Sequence, residues 1–441
     1  MSANNNVIFS VIPGGSLQGN LRVPGDKSIS HRSIMLGSLA EGVTEVSGFL
    51  QGEDNLATLN AFRAMGVNID GPDNGKVIIH GVGMDGLKAP AAPLDLGNSG
   101  TSMRLLSGLL SAQAFDSVLT GDASLSTRPM RRVTEPLAQM GAELETTAAG
   151  TPPIYCHGGK ALKGFDYEMP VASAQVKSCL LLAGLYAMGR TCVIEPAPTR
   201  DHTERMLKGF GYAVEVDGNR ICVEGGGKLT ATNIDVPADI SSAAFFLVGA
   251  SICPGADLLL EHVGINPTRD GVITILKLMG ADIQLLNQRE IGGEPVADIR
   301  VRHAVLKGID IPEEQVPLAI DEFPALFVAA ACAEGKTVLT GARELRVKES
   351  DRIQVMVDGL QILGVDAVAT EDGMVIQGGG NIGSGRVHSH GDHRIAMSFA
   401  MASLRASGPI EIEDCANVNT SFPNFVALAA GVGLNIKQVP A

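Results

Sequence analysis

The sequence lacks tryptophan, has only four tyrosines among 441 residues, and carries a net charge of −14. A nucleic-acid-binding surface is typically basic and interleaved with aromatic side chains. This composition therefore argues against a nucleic-acid partner. If the ligand is itself an anion, the cations that bind it must be gathered locally, against the overall field of the protein.

Long hydrophobic runs are also missing. The apolar stretches are short, and none reaches the roughly 20 residues that a membrane-spanning helix needs. Residues 1–6 lack a basic region followed by an apolar core, so we expect no signal or transit peptide and no membrane partner. With 45% hydrophobic and 19% charged residues, the chain is typical of a globular protein of two or three domains.

No C-x-x-C pair occurs, so the spacing typical of redox or zinc motifs is absent. An odd number of cysteines without such a pattern predicts reduced thiols in a cytoplasmic protein, mostly packed as small apolar residues. The seven cysteines are Cys156, Cys179, Cys192, Cys222, Cys253, Cys332 and Cys415.

What the chain does contain is a repeat. A turn, a small-residue helix, a strand and a second helix recur about every 70 residues, which is longer than the solenoid periods of about 20 to 50. Alternating strands and helices predict the α/β class. The first helix of each repeat, such as residues 325–331, is apolar nearly all round and is predicted to be buried, whereas the second, such as 348–363, is amphipathic. The six repeats open near Pro24, Leu96, Pro170, Val236, Ala319 and Ser389.

The openings of the buried helices are chemically distinct. Helix starts offer unpaired N–H groups and a positive dipole end, which together favour anions such as phosphate. If these starts converge, their side chains would form a strong anion site. The candidates there are Lys27, Ser28, Arg32, Asn98, Gly100, Thr101, Arg104, Ser173, Gln175, Lys177, Asp321, His393 and Arg394. Further candidates on the loops into the second helices include Arg128, Arg200, Lys348, Glu349 and Arg352.

Two interpretations from other protein classes are open at this point. The segment from His388 to His393 holds three histidines and an aspartate, which could ligate zinc, although its spacing fits no common metal motif. A non-catalytic repeat scaffold would use the turns only as architecture. Two G-x-G-x-x-G stretches, Gly81 to Gly86 and Gly378 to Gly383, do not open helices and are interpreted as turns, not dinucleotide sites.

Four motifs in order resemble the 5-enolpyruvylshikimate-3-phosphate synthase family, whose other name is 3-phosphoshikimate 1-carboxyvinyltransferase. The resemblance covers essentially the whole chain and favours the second class of the family. The motifs are Pro24-Gly25-Asp26-Lys27-Ser28-Ile29-Ser30-His31-Arg32, Gly97-Asn98-Ser99-Gly100-Thr101-Ser102-Met103-Arg104, Arg346-Val347-Lys348-Glu349-Ser350-Asp351-Arg352 and Gly391-Asp392-His393-Arg394-Ile395-Ala396-Met397.

The resemblance implies an inside-out α/β barrel fold with two similar domains, each of three βαβαββ units around buried parallel helices. One domain would span residues 23–236, and the other residues 1–22 with 237–441. The active site would lie in the interdomain cleft. A monomer in the cytoplasm is expected.

The implied reaction transfers the enolpyruvyl group of phosphoenolpyruvate to the 5-hydroxyl of shikimate 3-phosphate, with no metal and no organic cofactor. By resemblance, Asp321 and Glu349 handle the protons, with Lys27 nearby. The implied ligands of shikimate 3-phosphate are Lys27, Ser28, Arg32, Ser173, Ala174, Gln175, Arg200, Asp321 and Lys348. The implied ligands of phosphoenolpyruvate are Lys27, Gly100, Thr101, Arg104, Arg128, Gln175, Arg352 and Arg394.

The family resemblance also implies glyphosate as an inhibitor. The most tolerant members of the second class carry Ala where this chain has Gly100, so the degree of tolerance is open. The alternative within the same fold is the enolpyruvyl transferase that acts on UDP-N-acetylglucosamine. That enzyme normally has Lys-Asn where Lys27-Ser28 stands, and a reactive loop Cys that residues 121–128 lack.

Overall fold

A computed structural model of the chain describes residues 7–440. The expectation about a targeting segment concerns residues 1–6, which lie outside that range. The chain forms two compact units. Unit 1 contains the described residues up to Pro24, Pro237–Glu290, and the described residues from Glu294 onward; unit 2 contains Gly25–Val236 and Ile291–Gly293.

Twelve α-helices occur between residues 7 and 440. They are α1 (Lys27–Leu39), α2 (Glu53–Ala64), α3 (Gly100–Leu110), α4 (Arg131–Gln139), α5 (Ala174–Gly184), α6 (His202–Gly209), α7 (Ile240–Ile252), α8 (Gly271–Leu278), α9 (Phe323–Cys332), α10 (Arg352–Ile362), α11 (His393–Ala402) and α12 (Phe425–Gly431). Short 3₁₀ helices lie at Leu125–Thr127, Glu313–Gln315, Arg343–Val347, Ser403–Arg405 and Ala416–Thr420. No helix in this range is long and apolar enough to span a lipid bilayer.

The strands are β1 (Val7–Val11), β2 (Gln18–Leu21), β3 (Ala40–Ser47), β4 (Asn68–Asp73), β5 (Lys76–Val82), β6 (Leu94–Asp95), β7 (Ser117–Thr120), β8 (Glu143–Glu145), β9 (Ile154–His157), β10 (Asp166–Glu168), β11 (Arg190–Ile194), β12 (Val214–Asp217), β13 (Arg220–Glu224), β14 (Leu229–Thr230), β15 (Ile234–Asp235), β16 (Asp257–Gly264), β17 (Asp282–Ile291), β18 (Glu294–Arg302), β19 (Gly335–Leu339), β20 (Asp366–Ala369), β21 (Met374–Gly378), β22 (Gly385–His388), β23 (Ile410–Glu413) and β24 (Ile436–Pro440).

The strands form small mixed sheets of one repeated design. In unit 2 the sheet orders are β14-β3-β5-β4 (with β15 also on β3), β6-β7-β9-β8 and β10-β11-β13-β12. In each, a short parallel pair such as β6 with β7 leads into two antiparallel pairs. In unit 1 the orders are β22-β23-β1-β24, β17-β18-β16-β2 and β19-β21-β20. The predicted α/β class, with three repeats in each of two domains, is confirmed.

The first helix of each repeat is enclosed, as predicted. In unit 1, α7 is buried at every residue and packs with α9 and α11. In unit 2, α3 packs against α5. A helix without a polar face has no side to turn to water, so the only stable position for it is inside. Each unit accordingly has its own hydrophobic core.

The polar starts of these helices follow from capping. A side-chain oxygen at the residue before the helix accepts a backbone N–H at five of the six starts, which satisfies donors that the helix itself leaves unpaired. The caps are Asp26, Ser99, Ser173, Asp239 and Asp392. The sixth helix, α9, instead has Pro324 in its first turn. Proline has no N–H to donate, and an N–H in the first turn would have no partner within the helix.

The predicted amphipathic helix over residues 348–363 is shorter than expected. It begins at Arg352, because Asp351 caps it by accepting from the N–H of Gln354. Lys348, Glu349 and Ser350 therefore precede the helix and lie in the loop before it.

The prediction that all seven cysteines are reduced is wrong for one pair. Cys192 on β11 and Cys222 on β13 form a disulfide, with their Cα atoms 4.1 Å apart. They lie directly opposite each other in the antiparallel ladder. Sequence spacing gave no indication of this, because the register between two strands brings together residues 30 positions apart.

Candidate active site

The start of α1 places Lys27 at a helix N-terminus. Its Nζ lies 2.5 Å from Oδ2 of Asp54 on α2, and the side-chain amide of Asn55 donates to the carbonyl of Lys27 at 3.0 Å. Asp26 accepts the N–H of Ile29 and so fixes the turn before the lysine. The predicted cation is therefore held by two helices and is partly exposed.

A second group of predicted residues lies at the starts of α3 and α5. Nη1 of Arg104 donates to Oε1 of Gln175 at 2.5 Å. Nε2 of Gln175 in turn donates to Oγ1 of Thr101 at 3.0 Å. The amide of Gln175 thus bridges a cation and a hydroxyl, and three residues predicted to bind phosphoenolpyruvate meet within unit 2.

Gly100, the first residue of α3, is close to two guanidinium groups. A Cβ atom at this position would lie 3.1 Å from Nη1 of Arg104 and 3.2 Å from Nη1 of Arg128. Nη2 of Arg128 donates to Oδ1 of Asn98 at 2.7 Å. The absence of a side chain at Gly100 therefore keeps a helix N-terminus open beside two arginines, an arrangement that suits an anion.

Arg32 differs from Lys27, Arg104 and Arg128 because it is buried. Its Nε donates to Oγ1 of Thr203 at 2.7 Å and its Nη2 to Oγ of Ser178 at 2.8 Å. Nη1 donates to the carbonyl of Ser28 at 3.0 Å. The predicted ligands Ser28 and Arg32 are thus brought together, with much of the guanidinium turned toward protein groups.

The other predicted ligands of shikimate 3-phosphate in unit 2 lie on two segments. Ser173 caps α5, and Ala174 is its first residue. Arg200 is half-buried in the loop before α6.

Lys177 was a candidate at a helix start, and this prediction is wrong. Its side chain is 1% exposed, and its Nζ lies 3.0 Å from Glu195 and 2.7 Å from Glu204. It lies one turn into α5, and its ammonium contacts two buried carboxylates from outside that helix.

In unit 1, the predicted residues gather on the guanidinium of Arg352. Nη2 donates to Oε2 of Glu349 at 2.6 Å, Nη1 to Oδ1 of Asp321 at 3.1 Å, and Nε to Oδ2 of Asp392 at 2.8 Å. The side chain of Arg352 is 1% exposed. Burial alone would lower the pKa of Arg352, but the charges of Asp392, Glu349 and Asp321 raise it above its ordinary value. It therefore stays charged and holds both predicted proton-transfer carboxylates.

The two remaining predicted cations of unit 1 lie next to this cluster or next to α9. Nζ of Lys348 is 3.4 Å from Oδ1 of Asp321, the oxygen that Arg352 also contacts. Arg394, at the start of α11, has Nη1 3.8 Å from Oε1 of the buried Glu322. Asp321 thus lies against two cations and is only partly buried, which leaves it accessible to a small molecule.

Two carboxylates that hold these cations were not predicted from the sequence as their partners. Asp392 caps α11 and accepts from Arg352. It follows a glycine and precedes a basic residue, as Asp26 does, and this shared pattern could have identified it. Asp54 is held on a different helix from Lys27, and nothing local in the sequence indicates their contact.

The described residues provide no set of side chains that could ligate zinc. Over residues 7–440, no group of three or more His, Cys, Asp or Glu side chains could hold a metal ion. The rings of His388 and His390 lie against each other with centroids 4.4 Å apart, and His393 is buried as the first residue of α11.

These buried helices with charged starts are those of an enolpyruvyl transferase. Residues 11–428 match the family model described as EPSP synthase (3-phosphoshikimate 1-carboxyvinyltransferase), and the chain belongs to this family. A protein of Methylococcus capsulatus named 3-phosphoshikimate 1-carboxyvinyltransferase is 73% identical over 434 residues, covering 98% of this chain and 99% of that protein. One of the same name from Alkalilimnicola ehrlichii is 71% identical over 430 residues, covering 98% and 96%.

Solved structures agree with these relatives. The EPSP synthase of Acinetobacter baumannii superposes with a TM-score of 0.90 at 64% identity, covering 98% of this chain and all of that one. The alternative that acts on UDP-N-acetylglucosamine is therefore not favoured, and neither is a non-catalytic scaffold.

Proposed function

We propose that this protein is an enolpyruvyl transferase that joins phosphoenolpyruvate to the 5-hydroxyl of shikimate 3-phosphate and releases phosphate. The reaction belongs to the shikimate pathway of aromatic amino acid biosynthesis. Family membership supports the reaction. The observation that carries the chemistry is the meeting of Asp321 and Glu349 on one buried guanidinium.

The proposed roles follow from what each group can do. The reaction needs an acid that protonates the methylene carbon of phosphoenolpyruvate and a base that takes the proton of the attacking hydroxyl. We assign the first role to Glu349 and the second to Asp321, with Lys27 beside the hydroxyl. The hydroxyl oxygen bonds to the carbon that bears phosphate, giving a tetrahedral intermediate. That intermediate then loses a proton from its new methyl group and expels phosphate.

We propose that both units contribute to binding. The ligand sets implied by the family resemblance fall in unit 2 and in unit 1, and neither unit contains all of them. In unit 2 the phosphoenolpyruvate ligands would be Lys27, Gly100, Thr101, Arg104, Arg128 and Gln175; in unit 1 they would be Arg352 and Arg394. Helix starts and planar guanidinium groups suit both phosphate and carboxylate.

The remaining ligands would hold the acceptor. Ser28, Arg32, Ser173, Ala174, Gln175 and Arg200 of unit 2 would bind shikimate 3-phosphate together with Lys27. Asp321 and Lys348 of unit 1 would complete its site. Glyphosate, which is also a small anion, would compete where phosphoenolpyruvate binds.

The test is phosphate release by the purified protein, with each substrate omitted in turn and with EDTA and glyphosate arms. We expect release only when both substrates are present, unaffected by EDTA and reduced by glyphosate. Release that required UDP-N-acetylglucosamine in place of shikimate 3-phosphate, or that EDTA abolished, would contradict the proposal.

We also propose that the protein is a monomer and that it is located in the cytoplasm. Light scattering after size-exclusion chromatography tests the first, and cell fractionation tests the second.

A further inference from the structure

A buried ion cluster lies beneath the loop that carries Arg200. The ammonium of Lys177 on α5 lies 3.0 Å from Oε1 of Glu195, just after β11, and 2.7 Å from Oε1 of Glu204 on α6. All three side chains are at most 7% exposed. Two carboxylates thus share one lysine inside unit 2, and none of the three has a role in the reaction as proposed above.

The cluster holds both ends of the segment that contains Arg200. Glu195 precedes this segment and Glu204 follows it. Inside the segment, the hydroxyl of Thr199, the residue directly before Arg200, donates to Oε1 of Glu195. The backbone of Glu195 is itself fixed, because its N–H donates to the carbonyl of Asn219 at 2.9 Å. The loop is therefore attached to one ammonium on either side of the arginine.

The same cluster adjoins Arg32 through its neighbours in sequence. Thr203, next to Glu204, accepts from Nε of Arg32, and Ser178, next to Lys177, accepts from Nη2. The two hydroxyl oxygens lie 2.7 Å from each other. Buried polar contacts thus connect α1, α5 and the start of α6, into which the Arg200 loop leads directly. The acceptor ligands of unit 2 lie on α1, at the start of α5 and in that loop.

Stability alone does not account for such a cluster. Removing charges from water is costly, and apolar side chains of similar volume usually stabilise a core at least as well as a buried ion group. What an ion cluster does provide is a fixed geometry, because each contact has a direction and a short optimal distance. Two of its three members flank the Arg200 segment and share the third, which indicates that this segment is what the cluster fixes.

We propose that Lys177, Glu195 and Glu204 are positioning residues that fix the Arg200 loop for shikimate 3-phosphate. The inference rests on the proposed function and adds to it a source of affinity for the acceptor. A change in the cluster should weaken the binding of shikimate 3-phosphate and leave the binding of phosphoenolpyruvate unchanged, because Arg200 is a proposed ligand of shikimate 3-phosphate alone.

The first test uses Thr199→Val, which keeps the shape of the side chain and removes its bond to Glu195. We expect the KM for shikimate 3-phosphate to rise about fivefold, as for one lost hydrogen bond, with kcat and the KM for phosphoenolpyruvate unchanged. The matched control is Thr191→Val on β11, where the buried hydroxyl has no hydrogen-bond partner within residues 7–440. Equal changes in both KM values would overturn the inference.

A double-mutant cycle shows whether the effect passes through Arg200. If it does, Thr199→Val should change the KM for shikimate 3-phosphate by less than about twofold in an Arg200→Met background, since coupled residues are not additive. A full fivefold effect in that background would mean that the cluster acts elsewhere, and would overturn the inference. If the cluster only stabilised the fold, the effects of Thr199→Val and Arg200→Met would add in this way.

A second variant covers the ion cluster itself. Lys177→Met would leave two buried carboxylates without their cation and is expected to impair folding, so Glu204→Gln is the informative change. It keeps the shape of the side chain but replaces the ionic contact with Lys177 by a neutral hydrogen bond, which is about half as strong. We expect the same selective rise in the KM for shikimate 3-phosphate, and an unchanged KM would contradict the role of Glu204. Absence of turnover in the unmodified protein would instead contradict the proposed function.

Discussion

The arginines at the candidate sites of the two units have different partners. In unit 1, Arg352 is buried against the carboxylates of Glu349, Asp321 and Asp392. In unit 2, Arg104 and Arg128 donate to the amide oxygens of Gln175 and Asn98. A carboxylate neutralises the charge of a guanidinium group. An amide oxygen fixes the orientation of that group and leaves its positive charge in place.

The two kinds of partner suit different chemical roles. Neutral partners suit a site whose purpose is to attract anions. Carboxylates on a buried cation suit a site that must hold proton-transfer groups at a fixed place. Both units present capped helix starts because they share one repeated fold. The side chains at those starts differ between the units, and this accounts for the different chemistry.

The largest expected effect concerns the carboxylates of unit 1. Glu349→Gln should lower kcat by about 10²- to 10⁴-fold, the usual contribution of a general acid or base. The amide can still accept from Arg352, so the unfolding temperature should not change. Phosphate-release kinetics and thermal unfolding measure the two properties. A turnover number close to that of the unmodified protein would remove Glu349 from the mechanism.

The matched control for that change is Glu411→Gln. Glu411 pairs with Arg386 on the surface of the same unit, where both side chains are exposed. It loses a carboxylate beside an arginine in the same way, but neither Glu411 nor Arg386 has a role in the proposed reaction. Its kcat should be that of the unmodified protein.

The next largest effect is expected on the free energy of unfolding, which should differ between arginine substitutions in the two units. Arg352→Met leaves three carboxylates around a buried apolar side chain, and breaking a buried ion pair in this way costs about 3 to 5 kcal/mol. Arg128→Met removes a half-buried cation whose amide partner can turn to water, and should cost about 1 kcal/mol. Urea unfolding followed by circular dichroism measures both. Equal losses would mean that the two units do not differ as described.

Much of the fold could be predicted from the sequence, because it depends on local patterns. Helices with no polar face, such as α7, must be buried, and the capping residues Asp26 and Ser99 indicate where helices begin. The cations at the helix starts were found for the same reason. What the sequence could not show are contacts between distant segments, such as Lys27 with Asp54 or Lys177 with Glu195, since these depend on how separate elements pack.

The same limit explains the two corrections in unit 2. Lys177 had the right residue type at a helix start but lies one turn in, where its side chain turns toward acids from other elements. Cys192 and Cys222 were expected to be free thiols, and strand register pairs them. Both errors arise where the deciding partner is far away in sequence.

A smaller effect is expected at the anion site of unit 2. In Gly100→Ala, the added methyl group would crowd Nη1 of Arg104 and Nη1 of Arg128. We expect the KM for phosphoenolpyruvate and the inhibition constant for glyphosate to rise, each by about tenfold or more, which corresponds to 1.4 kcal/mol of lost interaction. Steady-state kinetics with and without glyphosate measure both. Gly209→Ala is the control, because a methyl group there meets nothing within 4 Å.

The smallest predicted effect concerns pH and the buried His31 of α1. Its Nδ1 lies 2.8 Å from Oγ1 of Thr58, and burial, followed by the charges of Lys27 and Arg32, lowers its pKa well below 6.5. The native state therefore binds this proton less readily than the unfolded state does. Above pH 6.5 His31 is neutral in both states, and as the pH falls below that value the unfolded chain gains the proton first, so stability declines until the native pKa is reached.

The expected slope from this one group is at most about 1.4 kcal/mol per pH unit, the value for one proton. In His31→Gln this component should be missing, so the free energy of unfolding between pH 5 and pH 6.5 should decline less steeply than in the unmodified protein. If the His31 variant retained the full slope of the unmodified protein, then the acid sensitivity of unit 2 would arise elsewhere, and the charges of Lys27 and Arg32 would not act on the buried histidine.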